Sequence, residues 1–189
     1  MRAVSARDIF LECGLLANEP KQHKKARAFG AARAALPDDS AAIVDIVAIA
    51  TCRFCEQMPY HDMVLQASSR HGVPSALIHA VIRRESGYNP GAKSRQDARG
   101  LMQLTPGTGR FMGVDNIERL YDPQTNISAG TAYLKYLMHM HATFDQVRAG
   151  YNSGPGNVRK YRGVPPFAET RRYVSDVKKY FAATSGEAH

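Results

Sequence analysis

Three things this sequence lacks narrow what it can be: an export signal, a membrane span and a second cysteine pair. The opening stretch from Met1 to Leu16 is interrupted by Arg7, Asp8 and Glu12, so it does not read as a secretory signal. The most apolar run, Ala41 to Thr51, is broken by Asp45. It is too short to cross a bilayer and begins too late for a leader. The sequence therefore announces no route out of the cell. There are three cysteines, Cys13, Cys52 and Cys55, and an odd count leaves at least one without an internal partner. Cys52-Arg-Phe-Cys55 has the spacing of a redox or zinc-knuckle pair. No second pair follows and no βαβ pattern surrounds it, so a local disulfide or free thiols is the expectation. The histidines include no His-Glu-x-x-His, and His139 and His141 would point to nearly opposite sides of a helix. His79 reads as a surface or packed histidine, and no metal site is expected. Gly-x-Ser-x-Gly, a P-loop and a dinucleotide fingerprint are all absent, which removes serine-elbow hydrolases and the common nucleotide binders. Few stretches alternate with period two, and there is no internal repeat or low-complexity tract.

What is present is a chain of 189 residues, 44% of them hydrophobic, enough for one packed domain and an appendage. Its net charge is +8 and its pI about 9.6. The excess is uneven: residues 1–56 carry +1 and residues 57–189 carry +7. The second part would be drawn to a polyanion, whether nucleic acid, an anionic membrane surface or an acidic wall polymer. Because the basic residues are scattered along the sequence, no nucleic-acid partner is expected.

The periodicity predicts a mainly α protein in two parts: a helical N-terminal segment over residues 1–57 and a second domain over 58–189. In the first part, residues 1–36 and about 41–55 look helical, separated by the Pro37-Asp-Asp-Ser40 turn. In the second, His61 to His71 is amphipathic and stops at Gly72. Leu77, Ile78, Val81 and Ile82 repeat at helical spacing between Pro74 or Ser75 and the stop signals Gly87 and Pro90. Residues 87–100 read as a loop, and Gly100 to Leu104 as an extended run or a single turn. Thr105-Pro106 begins a small helix. Asp122-Pro123 is a strong helix start, with Ile127, Gly130, Leu134, Leu137 and His141 along one face. A short helix over Gln146 to Tyr151, a turn at Ser153-Gly-Pro-Gly156 and a last helix after Pro165-Pro166 complete the pattern.

Glu85 is the residue that draws attention. It follows Val81 by four positions and Ile78 by seven, so it lies on the apolar stripe of its helix, at the last turn. A carboxyl there is partly desolvated, and desolvation raises its pKa toward what a general acid needs near neutrality. Polar company is at hand. Ser94 stands in the following loop, Gln103 in an apolar run where an unpaired amide is costly, and Tyr151 and Asn152 at a helix end. Singly, each has a structural reading as loop serine, satisfied amide, core tyrosine or cap.

Together they carry a resemblance. Glu85-Ser86, Gly100-Leu-Met-Gln103, Asn126-Ile-x-x-Gly130-x-x-Tyr133-Leu134 and Tyr151-Asn-Ser-Gly-Pro-Gly156 resemble, in order and spacing, the motifs of the soluble lytic transglycosylase catalytic domain. Glu169-Thr-Arg-Arg-Tyr-Val174 resembles that family's closing helix. The resemblance spans roughly residues 58–182. It implies a lysozyme-like fold of the goose type and cleavage of peptidoglycan between N-acetylmuramic acid and N-acetylglucosamine, forming a 1,6-anhydro sugar. It also implies Glu85 as the single acid and base, Ser94, Gln103, Tyr133, Tyr151 and Asn152 around the substrate, and no metal or cofactor. Two positions depart from the pattern. Gly150 replaces an alanine, and Asp97 stands where a glycine is usual, adding a carboxylate near the cleft. Two alternatives follow: a muramidase using Glu85 with Asp97, or a wall-binding module of an envelope-spanning machine. The resemblance implies glycan strands as the partner and the periplasm or cell envelope as the place. Residues 1–57 are then an export, docking or regulatory segment for secretion, conjugation or phage entry.

Overall fold

The computed structural model describes residues 55–185, and the readings made on the first 54 residues lie outside it. Among the described residues there are seven α-helices: α1 (His61–His71), α2 (Ser75–Glu85), α3 (Pro106–Phe111), α4 (Pro123–Met140), α5 (Phe144–Ser153), α6 (Pro155–Tyr161) and α7 (Ala168–Ser185). Two 3-10 turns, Cys55–Gln57 and Ile117–Tyr121, complete the regular structure. The only extended pairings among them are isolated bridges from Arg99 to Lys93 and Leu104. Cys55 is fully buried, so the packed body begins no later than that residue.

Helix α2 is the axis. Every residue from Ser75 to Ile82 is buried, so this helix is enclosed on all sides over its first two turns. Helix α1 packs beside it and α7 runs along it, while α4 lies against α1 and α5 joins α4 to α6 and α7. The chain enters α2 tightly: α1 ends at Gly72 in the left-handed conformation, and the Ser68 hydroxyl donates to the Val73 carbonyl at 2.7 Å. The α2–α7 contact is fastened at its polar edge. Arg84 Nε meets Asp176 Oδ2 at 3.0 Å, and the Arg83 guanidinium lies 4.5 Å over the Tyr180 ring. In the core, Leu77, Ile78, Ile82, Leu101, Met102, Ile127, Leu134, Leu137, Tyr173 and Val177 are almost wholly removed from water.

Helix starts follow the sequence signals. Asp122 caps α4 by accepting from the Thr125 N–H at 2.8 Å, with Pro123 in the first turn, and Thr105 caps α3 through the Thr108 N–H at 3.2 Å. Two elements differ from expectation. The Ser153–Gly156 stretch is not a free turn, because Gly154 (φ 84°) breaks the chain and Pro155 at once starts α6, which buries Val158. Helix α5 begins two residues before Gln146, capped by Thr143, whose hydroxyl accepts from the Gln146 N–H.

The segment from Arg99 to Gln103 is held by one side chain. Asn126, 1% exposed, accepts from the Met102 N–H at 2.7 Å and donates to the carbonyls of Arg99 and Leu120, both at 2.8 Å. This amide anchors the segment to α4 with its polar groups paired, as a buried amide requires. Close approach also explains two glycines. A Cβ on Gly100 (φ 75°) would sit 2.1 Å from the Leu120 carbonyl oxygen, and one on Gly130 would sit 2.4 Å from Met102 Sδ.

Candidate active site

Helix α2 ends at Glu85, so the axis of the fold delivers its last side chain from the core into a cleft of about 360 Å³. Glu85, Ser94, Gln103, Tyr133, Tyr151 and Asn152, the site residues expected from sequence, all line this one cleft. Gln96, Thr108 and Glu169 line it too.

The environment of Glu85 is that of an acid held neutral. Burial of the carboxyl is the main cause, raising its pKa from 4.5 to about 7. The neighbouring Tyr173 hydroxyl and the Arg84 charge pull it back, and the Glu169 carboxylate pushes it up further. The Tyr173 hydroxyl is buried and meets no partner in good hydrogen-bonding geometry, so it stands as a polar group beside the carboxyl.

The other groups are positioned so that particular atoms remain for a ligand. The Ser94 oxygen accepts from the N–H groups of Gln96 (3.2 Å) and Ala98 (3.1 Å), which occupies its lone pairs and leaves its proton to be donated. Gln103 (φ 48°) donates its amide nitrogen to the carbonyls of Ala92 (3.1 Å) and Gly100 (2.9 Å), which leaves its amide oxygen as an acceptor. Asn152 Oδ1 accepts from the buried Thr170 hydroxyl at 2.8 Å, which leaves its amide nitrogen as a donor. Tyr151 donates its hydroxyl to the Met102 carbonyl at 2.9 Å and packs against Tyr133 with ring centroids 5.4 Å apart. Burial holds the Tyr151 phenol well above its ordinary pKa, so it stays neutral and offers the cleft its ring.

Asp97 is not brought to this cleft. Arg99 donates to both of its oxygens, at 3.2 and 3.1 Å, and Lys93 pairs with Oδ1 at 3.1 Å. The Arg99 hydrogen bonds and then the Lys93 one hold its carboxyl below the usual range, the wrong direction for a base that must recover a proton from water. Its positive φ of 61° explains why glycine would suit the position. Sequence reasoning assigned no role to Glu169 or Tyr173. Their spacing of four residues on α7 was the available signal, since it puts both on the side of that helix that meets Glu85.

Fold and cleft together define a helical protein built to hold one desolvated, protonated carboxyl against a groove of neutral hydrogen-bonding groups. The chain belongs to the transglycosylase SLT domain family, whose model matches residues 62–174. It is 36% identical over 149 residues to the soluble lytic murein transglycosylase of Escherichia coli K12, covering 66% of this chain and 23% of that one. It is 41% identical over 115 residues to a membrane-bound lytic murein transglycosylase C of Edwardsiella ictaluri, covering 52% and 32%. Among solved structures, the 70 kDa soluble lytic transglycosylase of Escherichia coli aligns with TM-score 0.64 and 34% identity, over 70% of this chain and 25% of that one. An inactive mutant of the lytic transglycosylase Slt from Pseudomonas aeruginosa aligns with TM-score 0.65 and 29% identity, over 69% and 24%. The fold is therefore the lysozyme-like helical fold of these enzymes. The chain spans only about a quarter to a third of the length of these relatives.

Proposed function

We propose that this protein is a peptidoglycan lytic transglycosylase in which Glu85 acts first as acid and then as base. The observation that carries the reading is the Glu85 carboxyl, lining the cleft with its pKa raised by burial to about 7. The names of the relatives, murein transglycosylases both soluble and membrane-bound, supply the substrate class. Protonated Glu85 gives its proton to the glycosidic oxygen between N-acetylmuramic acid and N-acetylglucosamine, and that bond breaks. The muramic acid N-acetyl group stabilises the oxocarbenium-like carbon. Glu85, now a carboxylate, takes the proton of the same sugar's 6-hydroxyl as that oxygen closes the 1,6-anhydro ring. The nucleophile is intramolecular, so neither an activated water nor a second carboxylate is needed. Ser94 and Asn152 are the donors, and Gln103 the acceptor, that would hold the acetamido and hydroxyl groups, with Tyr133 and Tyr151 as ring surfaces for the sugars. The working place is the bacterial cell envelope, where glycan strands lie, and residues 1–57 are read as the segment that brings the domain there.

Mass spectrometry of the soluble muropeptides released from purified sacculi tests this, wild type beside Glu85→Gln. Anhydro-muramyl ends from wild type, reduced at least about a thousandfold in the variant, are expected. Reducing ends would make the protein a hydrolase and turn attention to Glu169, the second carboxylate in the cleft. Binding without turnover by wild type would make it a wall-binding module.

A further inference from the structure

The sequence offered Cys52-x-x-Cys55 half of a zinc-knuckle ligand set and no second cysteine pair. The fold supplies the other half with histidines. Cys55, His61 and His79 each present a ligand atom within 4.8 Å of the other two, in a corner where Cys55 and His79 are almost wholly buried. His61 Nδ1 and His79 Nε2 lie 3.1 Å apart with their rings stacked. Two imidazole nitrogens on one tetrahedral zinc ion lie about 3.3 Å apart, given zinc–nitrogen bonds of about 2.0 Å.

The surroundings set His79 up as a ligand. The Tyr88 hydroxyl lies 2.9 Å from His79 Nδ1 and directs its own proton to the His79 carbonyl and Met58 Sδ, both at 3.4 Å. Tyr88 therefore accepts from His79 Nδ1–H, which leaves Nε2 with its lone pair facing His61. An outer hydrogen bond of this kind fixes tautomer and ring orientation in metal-ligating histidines. Burial, and then the neighbouring His61, push the His79 pKa down to about 4, so its ring is in the neutral, ligating form at physiological pH. Among the residues bonded to His79 there is no carboxylate, so the pair is not a catalytic His–Asp arrangement.

In this structure Cys55 is disulfide-bonded to a cysteine outside the described residues. We propose that this corner is a redox-gated zinc site: when a dithiol reduces the Cys55 disulfide, Cys55, His61 and His79 bind Zn²⁺, with Cys52 as fourth ligand. The dithiol gives two electrons and becomes a disulfide, while the protein gains two thiols. Zinc then displaces the thiol protons of Cys52 and Cys55 and the proton between His61 and His79, all of which pass to solvent. The metal form belongs to a reducing compartment and the disulfide form to an oxidising one. Because His79 lies six residues before Glu85 on α2, about 9 Å along the axis, the site is separate from the cleft.

Cobalt(II) titration of the full chain tests the proposal, with and without prior reduction by dithiothreitol and its removal under anaerobic conditions. Reduced protein should take up one equivalent, with thiolate-to-cobalt charge transfer and the strong visible bands of a tetrahedral ion. Zinc should displace it, and oxidised protein should bind at least about tenfold more weakly. Cys55→Ser should lose the charge-transfer intensity contributed by its thiolate. His61→Ala, at a half-buried position that folding tolerates more readily than His79, should weaken binding at least about tenfold. Cys13→Ser should change nothing. Equal uptake by oxidised and reduced protein would overturn the assignment, as would a His61→Ala variant with wild-type affinity and spectrum.

Discussion

At the scale of single residues, Glu85 is a liability to the fold that the cleft requires. Its folded pKa of about 7 lies above the 4.5 of an unburied glutamate. Between these values the unfolded chain releases a proton that the folded chain keeps, so stability falls as pH rises from about 4.5 to about 7 and stays low above. The shift corresponds to about 1–3 kcal/mol at pH 8. Glu85→Gln keeps the shape and removes the charge, so it should abolish turnover and still be the more stable protein at pH 8, with little difference at pH 4.5. Urea unfolding of both proteins at the two pH values measures this. A variant less stable than wild type at pH 8 would mean that the carboxylate is satisfied in the fold, and that the cause assigned to its raised pKa is wrong. The same protonation sets the activity profile, which should decline above about pH 7 as the acid ionises.

At the scale of elements, sequence carried the helices further than the loops. The stop at Gly72, the Asp122 cap and the burial of Leu77, Ile78, Val81 and Ile82 follow from period and cap chemistry, which are local. Helix α6 was misread because Ser-Gly-Pro-Gly is turn chemistry, and only the buried Val158 shows that Pro155 opens a helix. The conformation of the 99–104 segment was beyond local reasoning, since it hangs on Asn126, more than twenty residues on. Position 150 shows the same limit. Glycine in place of alanine reads as a loosened helix, yet its missing methyl makes room for a neighbour: a Cβ there would lie 3.1 Å from His141 Nε2 and 3.2 Å from Leu137 Cδ2. Gly150→Ala should therefore give less than the roughly 1 kcal/mol that helix propensity promises, or destabilise. In a His141→Ala background the same change should recover most of that gain. Chemical denaturation of the four proteins of this cycle reads the coupling, expected at about 1 kcal/mol. Additive effects would show that His141 yields freely and that the glycine has another cause.

At the scale of the whole molecule, folding does to charge what the linear sequence conceals. Basic residues look scattered along the chain, and several are committed to partners: Arg84 to Asp176, Arg99 to Asp97 and Glu118, Arg148 to Asp145. On α7, however, Arg171 and Lys178 are seven residues apart, as are Arg172 and Lys179, so two helical turns align them in one stripe, and all four are exposed. The buried side of the same helix carries Tyr173 and Val177 against α2. Helix α7 therefore supports Glu85 with one face and faces solvent with a cationic one. Such a stripe attracts an anionic polymer over about a Debye length and loses that attraction as salt rises. With Glu85→Gln as background, so that sacculi persist, the further pair Arg171→Glu and Lys178→Glu should lower retention on sacculi several-fold at low salt. The difference should vanish at high salt, and turnover of a short uncharged glycan by the same pair in an otherwise wild-type chain should not change. Duplex DNA should be retained weakly at moderate salt by either protein, because a single four-charge stripe neutralises few phosphates. Retention on sacculi that ignores both salt and the charge reversal would place attachment in the cleft alone and leave the stripe without a part in it.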